Sequence, residues 1–272
     1  MTKISAAAVK ALREKTQLPM MKCKWALEQT GGDEQAAIEL LRKEGAKFTE
    51  QRGQRETSSG RIAVYADLER GVGAMVELQC ESDPVAKNES FRQLAEALVK
   101  QLATGPGAAS PEELLGQPSG RSDGETLQDF FNEVVNQIRE VFRLPRILRI
   151  DTPCGGYAHF TGTLGALVQV EGGTPEAARD VAMHVAAMNP EALTPEQANP
   201  EKVAEIKEKY GAINEMALKN ALKKYYAEVV LLEQPLVKDP GKTVGQYAQE
   251  QGMKILGYVR WELGGEENRC GL

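Results

Sequence analysis

The chain is poor in the residues that build reaction centres. Two histidines, His159 and His184, and four cysteines are spread over 272 residues. Cys23, Cys80, Cys154 and Cys270 stand far apart without a Cys-x-x-Cys pair, so no metal site is expected. They read as small buried thiols in a reducing compartment. A general base needs a partner within hydrogen-bond reach, yet no nucleophile elbow of the Gly-x-Ser-x-Gly kind accompanies either histidine. Each reads as a structural or interface residue, and neither an enzyme activity nor a cofactor is expected. Long apolar runs are missing too: none approaches the ~20 residues of a membrane span. Met1-Thr2-Lys3-Ile4-Ser5 leads into an amphipathic helix without the apolar stretch of a secretory leader, so a cytoplasmic location is expected. Basic charge is in deficit, with 33 Lys and Arg against 39 Asp and Glu, a net charge of −6. Nucleic-acid binding depends on neutralising phosphates, so no direct nucleic-acid partner is expected. Arg139, Arg143, Arg146 and Arg149 read as a solvated helix end entering a strand.

What is present is an ordinary globular composition, 42% apolar and 26% charged. At this length about two domains with a real core are expected. Residues 1–50 read as a three-helix domain. Ser5 caps the first helix, with Val9 and Leu12 on its inner face. Pro19 opens the second, which ends at Gly31-Gly32. Asp33 caps the third, whose stripe of Ala37, Leu40 and Leu41 ends at Gly45. This is a small bundle of the ubiquitin-associated-domain type, usually a docking module. Residues 46–60 are polar, and 51–60 is expected to be a linker.

Residues 61–150 read as an α+β subdomain. A hairpin turns at Arg70–Gly73 and is followed by a helix from Glu89 to Gln101. A Gly-, Pro- and Ser-rich loop over 104–125 precedes a second helix carrying Leu127 to Val141. Residues 151–272 repeat the theme: a hairpin (156–160 with 165–170), a helix over 177–188, a helix at 244–250 and a strand at 255–263. A short helical insertion lies at about 195–226, with Gly211 as its turn. The expected fold class is therefore α+β, a three-helix bundle followed by two tandem hairpin-based subdomains.

Some motifs mislead. Gly241-Lys242-Thr243 lacks the earlier glycine of a phosphate loop, since Leu236 stands there. Gly71-x-Gly73 joins two strands and reads as a turn. Met20, Met21, Lys24 and Arg13 lie on the first two helices, where methionines suit either an adaptable docking face or the core.

The most specific stretch runs Cys80-Glu81-Ser82-Asp83-Pro84-Val85-Ala86-Lys87 between a strand and a helix. It resembles the Cys-(Glu/Gln)-Thr-Asp-Phe-Val-Ala-Lys corner of the translation elongation factor Ts family. Four further stretches are similar to that family in the same order: 12–27, Met183-His184-Val185-Ala186-Ala187, 234–246 and 257–264. The resemblance implies a guanine-nucleotide exchange factor that docks on the G domain and domain 3 of the GTPase elongation factor Tu and promotes GDP release. It implies contact positions at Arg13, Met20, Met21, Lys24, Asp83, Pro84, Val85, Leu164, Gly165, His184 and Val237. There are departures. Pro84 replaces the family's Phe, and Arg139-Glu140-Val141-Phe142 stands where the family has Gly-Glu-Asn-Ile. The chain closes soon after Leu263, so a C-terminal helical module is not expected. These departures motivate an alternative, a divergent paralogue that binds elongation factor Tu or another partner without catalysing exchange.

Overall fold

The computed structural model describes residues 4–16, 18–51, 54–211 and 214–271. Its contacts divide the chain into two units. The first comprises residues 1–61 and 76–147, the second 62–75 and 148–272. These borders run through strands.

The first unit opens with α1 (Ala6–Thr16), α2 (Met20–Gln29) and α3 (Glu34–Gln51). The Ser5 hydroxyl accepts the Ala8 N–H at 3.1 Å, and the Asp33 carboxylate accepts that of Ala36 at 3.0 Å. Each satisfies a helix donor that has no intrahelical partner. Gly31 and Gly32 take φ of +64° and +93°, the left-handed turn that ends α2. Val9, Leu12, Leu18, Cys23, Ala26, Leu27, Ala37 and Leu41 form the bundle core. One expectation is corrected here. α3 does not stop at Gly45 but continues to Gln51. Gly inside a helix costs about 1 kcal/mol relative to Ala. Tertiary contacts one turn earlier offset it: Arg42 pairs with the buried Glu125, and the Asn136 amide donates to the Leu41 carbonyl.

After β1 (Ser59–Asp67) and β2 (Val72–Cys80) come α4 (Asp83–Ala86), α5 (Glu89–Thr104), α6 (Pro111–Leu115), α7 (Leu127–Ile138) and β3 (Arg143–Ile150). The sheet order is β1-β2-β3. α6 lies inside the stretch read as loop, started by Ser110, whose hydroxyl accepts the Glu113 N–H at 3.2 Å. α7 ends at Ile138 rather than running on to Val141, because Arg139 turns left-handed at φ 68°. Val141 is still buried, and Phe142 inserts edge-on against Phe91 and Phe131 at 4.9 and 5.9 Å.

The second unit contains β4 (Cys154–Ala158), β5 (Leu164–Gly172), α8 (Pro175–Met188), α9 (Pro200–Gly211), α10 (Glu215–Val229), β6 (Pro235–Leu236), β7 (Asp239–Thr243), α11 (Val244–Glu250), β8 (Met253–Glu262) and β9 (Glu267–Cys270). β4-β5-β8-β9 form an antiparallel sheet. α8 packs its Ala178, Val181, Ala182 and Val185 against Ala166, Val168, Val170 and Tyr258. A Cβ on Gly155 would meet the Ala178 carbonyl at 2.3 Å, so glycine lets the helix approach β4 closely. Phe160 lies beyond the end of β4, in the turn, and is 84% exposed. The α9–α10 pair buries no residue fully, as its mixed charge suggests. The protein is thus of the α+β class, with helices at the N-terminus followed by hairpin-based sheets.

Candidate functional site

The corner between β2 and α5 is built by two glutamates whose carboxylates each accept backbone N–H groups from the other's segment. One Glu140 oxygen accepts the N–H groups of Glu81 and Ser82, both at 3.1 Å, and the other accepts the Ser82 hydroxyl at 2.6 Å. Glu81 reciprocates by accepting the Val141 N–H at 2.8 Å and the Arg55 guanidinium at 2.8 Å. The Asp83 carboxylate is exposed and accepts the Ser59 hydroxyl at 2.9 Å. Pro84 is exposed in the first turn of α4. A helix leaves its first N–H groups without an intrahelical partner, so proline is accommodated there without losing a bond. Val85 is half-buried and Ala86 buried, which anchors the far side of α4. Burial pushes the Cys80 thiol up to about 12, so it stays protonated and inert at neutral pH.

On the bundle, Met20 and Met21 are 49% and 72% exposed, which decides for the surface over the core. Trp25 on the same helix is half-exposed, while Arg13 and Lys24 are exposed. Lys24 lies 3.7 Å from Glu28, a solvent-screened pair of little strength.

In the second unit, Leu164 and Gly165 begin β5 and lie opposite Glu262 and Trp261 of β8. Gly165 is buried, and a Cβ there would meet Ile62 Cγ2 at 2.5 Å. His184 has no exposed surface. Its Nδ1 accepts the Val237 N–H at 3.2 Å. Its Nε2 therefore carries the proton and donates to Gln234 Oε1 at 2.9 Å. Burial holds its pKa below the ordinary histidine value, against the opposing Gln234 bond. Four residues earlier on α8, Asp180 accepts Lys238 Nζ at 2.8 Å and the Tyr247 hydroxyl at 2.9 Å.

Of the expected positions, the structure brings His184 and Val237 into direct contact, and it gathers Arg13, Met20, Met21 and Lys24 onto α1 and α2. Leu164 and Gly165 lie on another element, β5. Glu81, Glu140, Asp180, Gln234, Lys238 and Tyr247 were not singled out by sequence. The glutamate shared by Gly-Glu-Asn-Ile and Arg139-Glu140-Val141-Phe142 was the available signal for Glu140. For Asp180 it was the one-turn spacing from His184. No group of three His, Cys, Asp or Glu among the described residues is placed to hold a metal ion, and no helix among them could cross a membrane.

A sequence model of elongation factor Ts matches residues 81–265. Elongation factor Ts of Thioalkalivibrio sulfidiphilus is 34% identical over 274 residues, covering 96% of this chain and 92% of that one. Those of Prosthecochloris aestuarii and Kineococcus radiotolerans are each 37% identical, covering 97% of this chain and all of theirs. The corner, the buried histidine and these full-length matches agree: the chain belongs to the elongation factor Ts family.

Proposed function

We propose that the protein is a guanine-nucleotide exchange factor that docks on elongation factor Tu and promotes release of GDP. A role in translation elongation follows from family membership. The partner, the exchange activity and the docking residues belong to this proposal. Arg13, Met20, Met21 and Lys24 form one contact face in it. Asp83, Pro84 and Val85 form the corner that disturbs the nucleotide site, and Leu164 and Val237 grip a second domain, with the buried Gly165 shaping the strand behind Leu164. His184 acts from beneath, since it is buried. A cytoplasmic location and the absence of a small-molecule substrate go with this reading.

The observation that carries the proposal is the α4 corner. It is exposed at Asp83 and Pro84, yet locked from behind by Glu140. A fixed projection loses less freedom on docking than a mobile loop. Pro84 also favours a second reading. A phenylalanine ring can bury 150 Å² or more, whereas the smaller proline ring exerts less leverage on packed helices. The alternative is a paralogue that binds without catalysing exchange.

Release of a fluorescent GDP from elongation factor Tu separates the two. On the exchange reading, the protein accelerates release in a concentration-dependent way. Pro84→Phe then raises the limiting rate about tenfold, the equivalent of roughly 1.4 kcal/mol in a barrier. A complex that forms without faster release leaves the binding paralogue, and rescue by Phe then locates the defect at the corner.

A further inference from the structure

Asp180 and His184 are both buried, at 6% and 0% exposure, one turn apart on α8. That spacing puts them on one face of the helix. Both reach the same short arm, residues 234–238. His184 takes the backbone N–H of Val237, and Asp180 takes the ammonium of Lys238, the next residue. Gln234 closes the base of the arm by accepting from His184 and donating to the Glu228 carbonyl at 2.8 Å. Tyr247 of α11 donates to the same Asp180 oxygen as Lys238, and Glu176 lies 3.7 Å from Lys238.

Strand pairing alone holds this arm weakly. β6 is two residues long, and its register breaks between Pro235 and Leu236. Leu236 is buried at 1%, while Val237 stands 44% exposed. The buried carboxylate is a poor source of stability, because desolvation offsets most of its attraction for a cation.

We propose that Asp180 is a positioning residue for partner docking: by fixing Lys238 it holds the Val237 backbone on His184 and presents the valine side chain to elongation factor Tu. This rests on the docking role of Val237 proposed above. Asp180 acts through the arm and touches no partner itself.

The test compares Asp180→Asn, Lys238→Met, Val237→Ala and the Asp180→Asn/Val237→Ala double variant in the full chain. Amide hydrogen exchange over residues 235–243 is measured in the free protein. GDP release is measured against protein concentration. Asp180→Asn and Lys238→Met should each speed amide exchange in the arm by about tenfold. Each should raise the half-saturating concentration about fivefold and leave the limiting rate unchanged. The double variant should add less than about twofold to Val237→Ala, because coupled residues are not additive. Lys238→Met removes the same contact from an exposed side, so the result does not depend on how well the fold tolerates Asp180→Asn. Unchanged amide exchange in both variants, or full additivity in the double variant, overturns the inference. A neutral Val237→Ala in an otherwise active protein overturns it too, by removing Val237 from the interface. If the wild-type chain neither binds elongation factor Tu nor releases GDP, the docking proposal itself has failed, and the inference falls with it.

Discussion

Arg139 occupies a conformation that its side chain resists. Its φ of 68° and ψ of 32° lie in the left-handed region, where a Cβ costs roughly 1–2 kcal/mol relative to glycine. The family resemblance places Gly at this position. A guanidinium bond to Asn136 Oδ1 at 3.2 Å returns part of that cost. Arg139→Gly should therefore stabilise the protein, by about 0.5 kcal/mol once the greater freedom of glycine in the unfolded chain is subtracted. Urea unfolding of both proteins measures it, and a lower midpoint for Arg139→Gly would show that the arginine contacts outweigh the strain. His184 gives a pH dependence of definite sign. Burial lowers its folded pKa below the unfolded value of about 6.5. The unfolded chain then binds the proton more readily, so this contribution to stability is complete above about pH 6.5 and is lost as the pH falls through the lowered folded pKa. Protonation also removes the Nδ1 lone pair that accepts the Val237 N–H. Thermal unfolding between pH 5 and 7.5 should show a loss of stability on acidification that is smaller in His184→Gln.

Among elements, the corner is fixed by its neighbours more than by its own sequence. α4 is four residues long, too short to be stable on propensity. Glu140, in the connection from α7 to β3, supplies acceptors for two backbone N–H groups and one hydroxyl. Charge-assisted bonds of this kind contribute about 1.5–3 kcal/mol. Glu140→Ala should cost about 2 kcal/mol and Glu140→Gln about half of that, since the amide keeps one acceptor oxygen. Denaturant unfolding reads both, and equal stability of all three proteins would remove Glu140 as the lock. The lock also explains what the sequence could and could not reveal. The corner's place between strand and helix is visible in its apolar pattern and helix cap, and α11 was expected over the residues it occupies, 244–250. Caps and apolar stripes are local signals, so the bundle helices were equally legible. Glu140 and Ser82 are 58 residues apart, as are Asp180 and Lys238, and such polar pairs leave no periodicity to read. Strands of two and four residues, β6 and β9, are too short to show alternation. α3 passed through Gly45 because tertiary contacts on α3 override glycine's local preference.

For the whole molecule, exchange is a statement about linkage. A partner that lowers the affinity of the GTPase for GDP by some factor must itself be bound less tightly, by the same factor, when GDP is present. Such couplings lie at about 1–3 kcal/mol, or roughly 5- to 150-fold. If the chain promotes release by weakening GDP binding, it should bind nucleotide-free elongation factor Tu more tightly than the GDP-loaded form, by a factor on the order of 5 to 150. Titration calorimetry on the two forms measures the ratio directly, and GDP affinity with and without the chain must give the same number. Equal affinity for both forms would show that the chain does not weaken GDP binding, and any faster release would then come from a lowered barrier alone. Pro84→Phe adds an independent handle. If the corner supplies the coupling, the larger ring should widen the ratio and leave affinity for the GDP form nearly unchanged, because the wedge is accommodated only where the nucleotide site has opened. If Pro84→Phe strengthens binding to both forms alike, the corner is an adhesive surface, and the coupling must arise from contacts elsewhere on the chain.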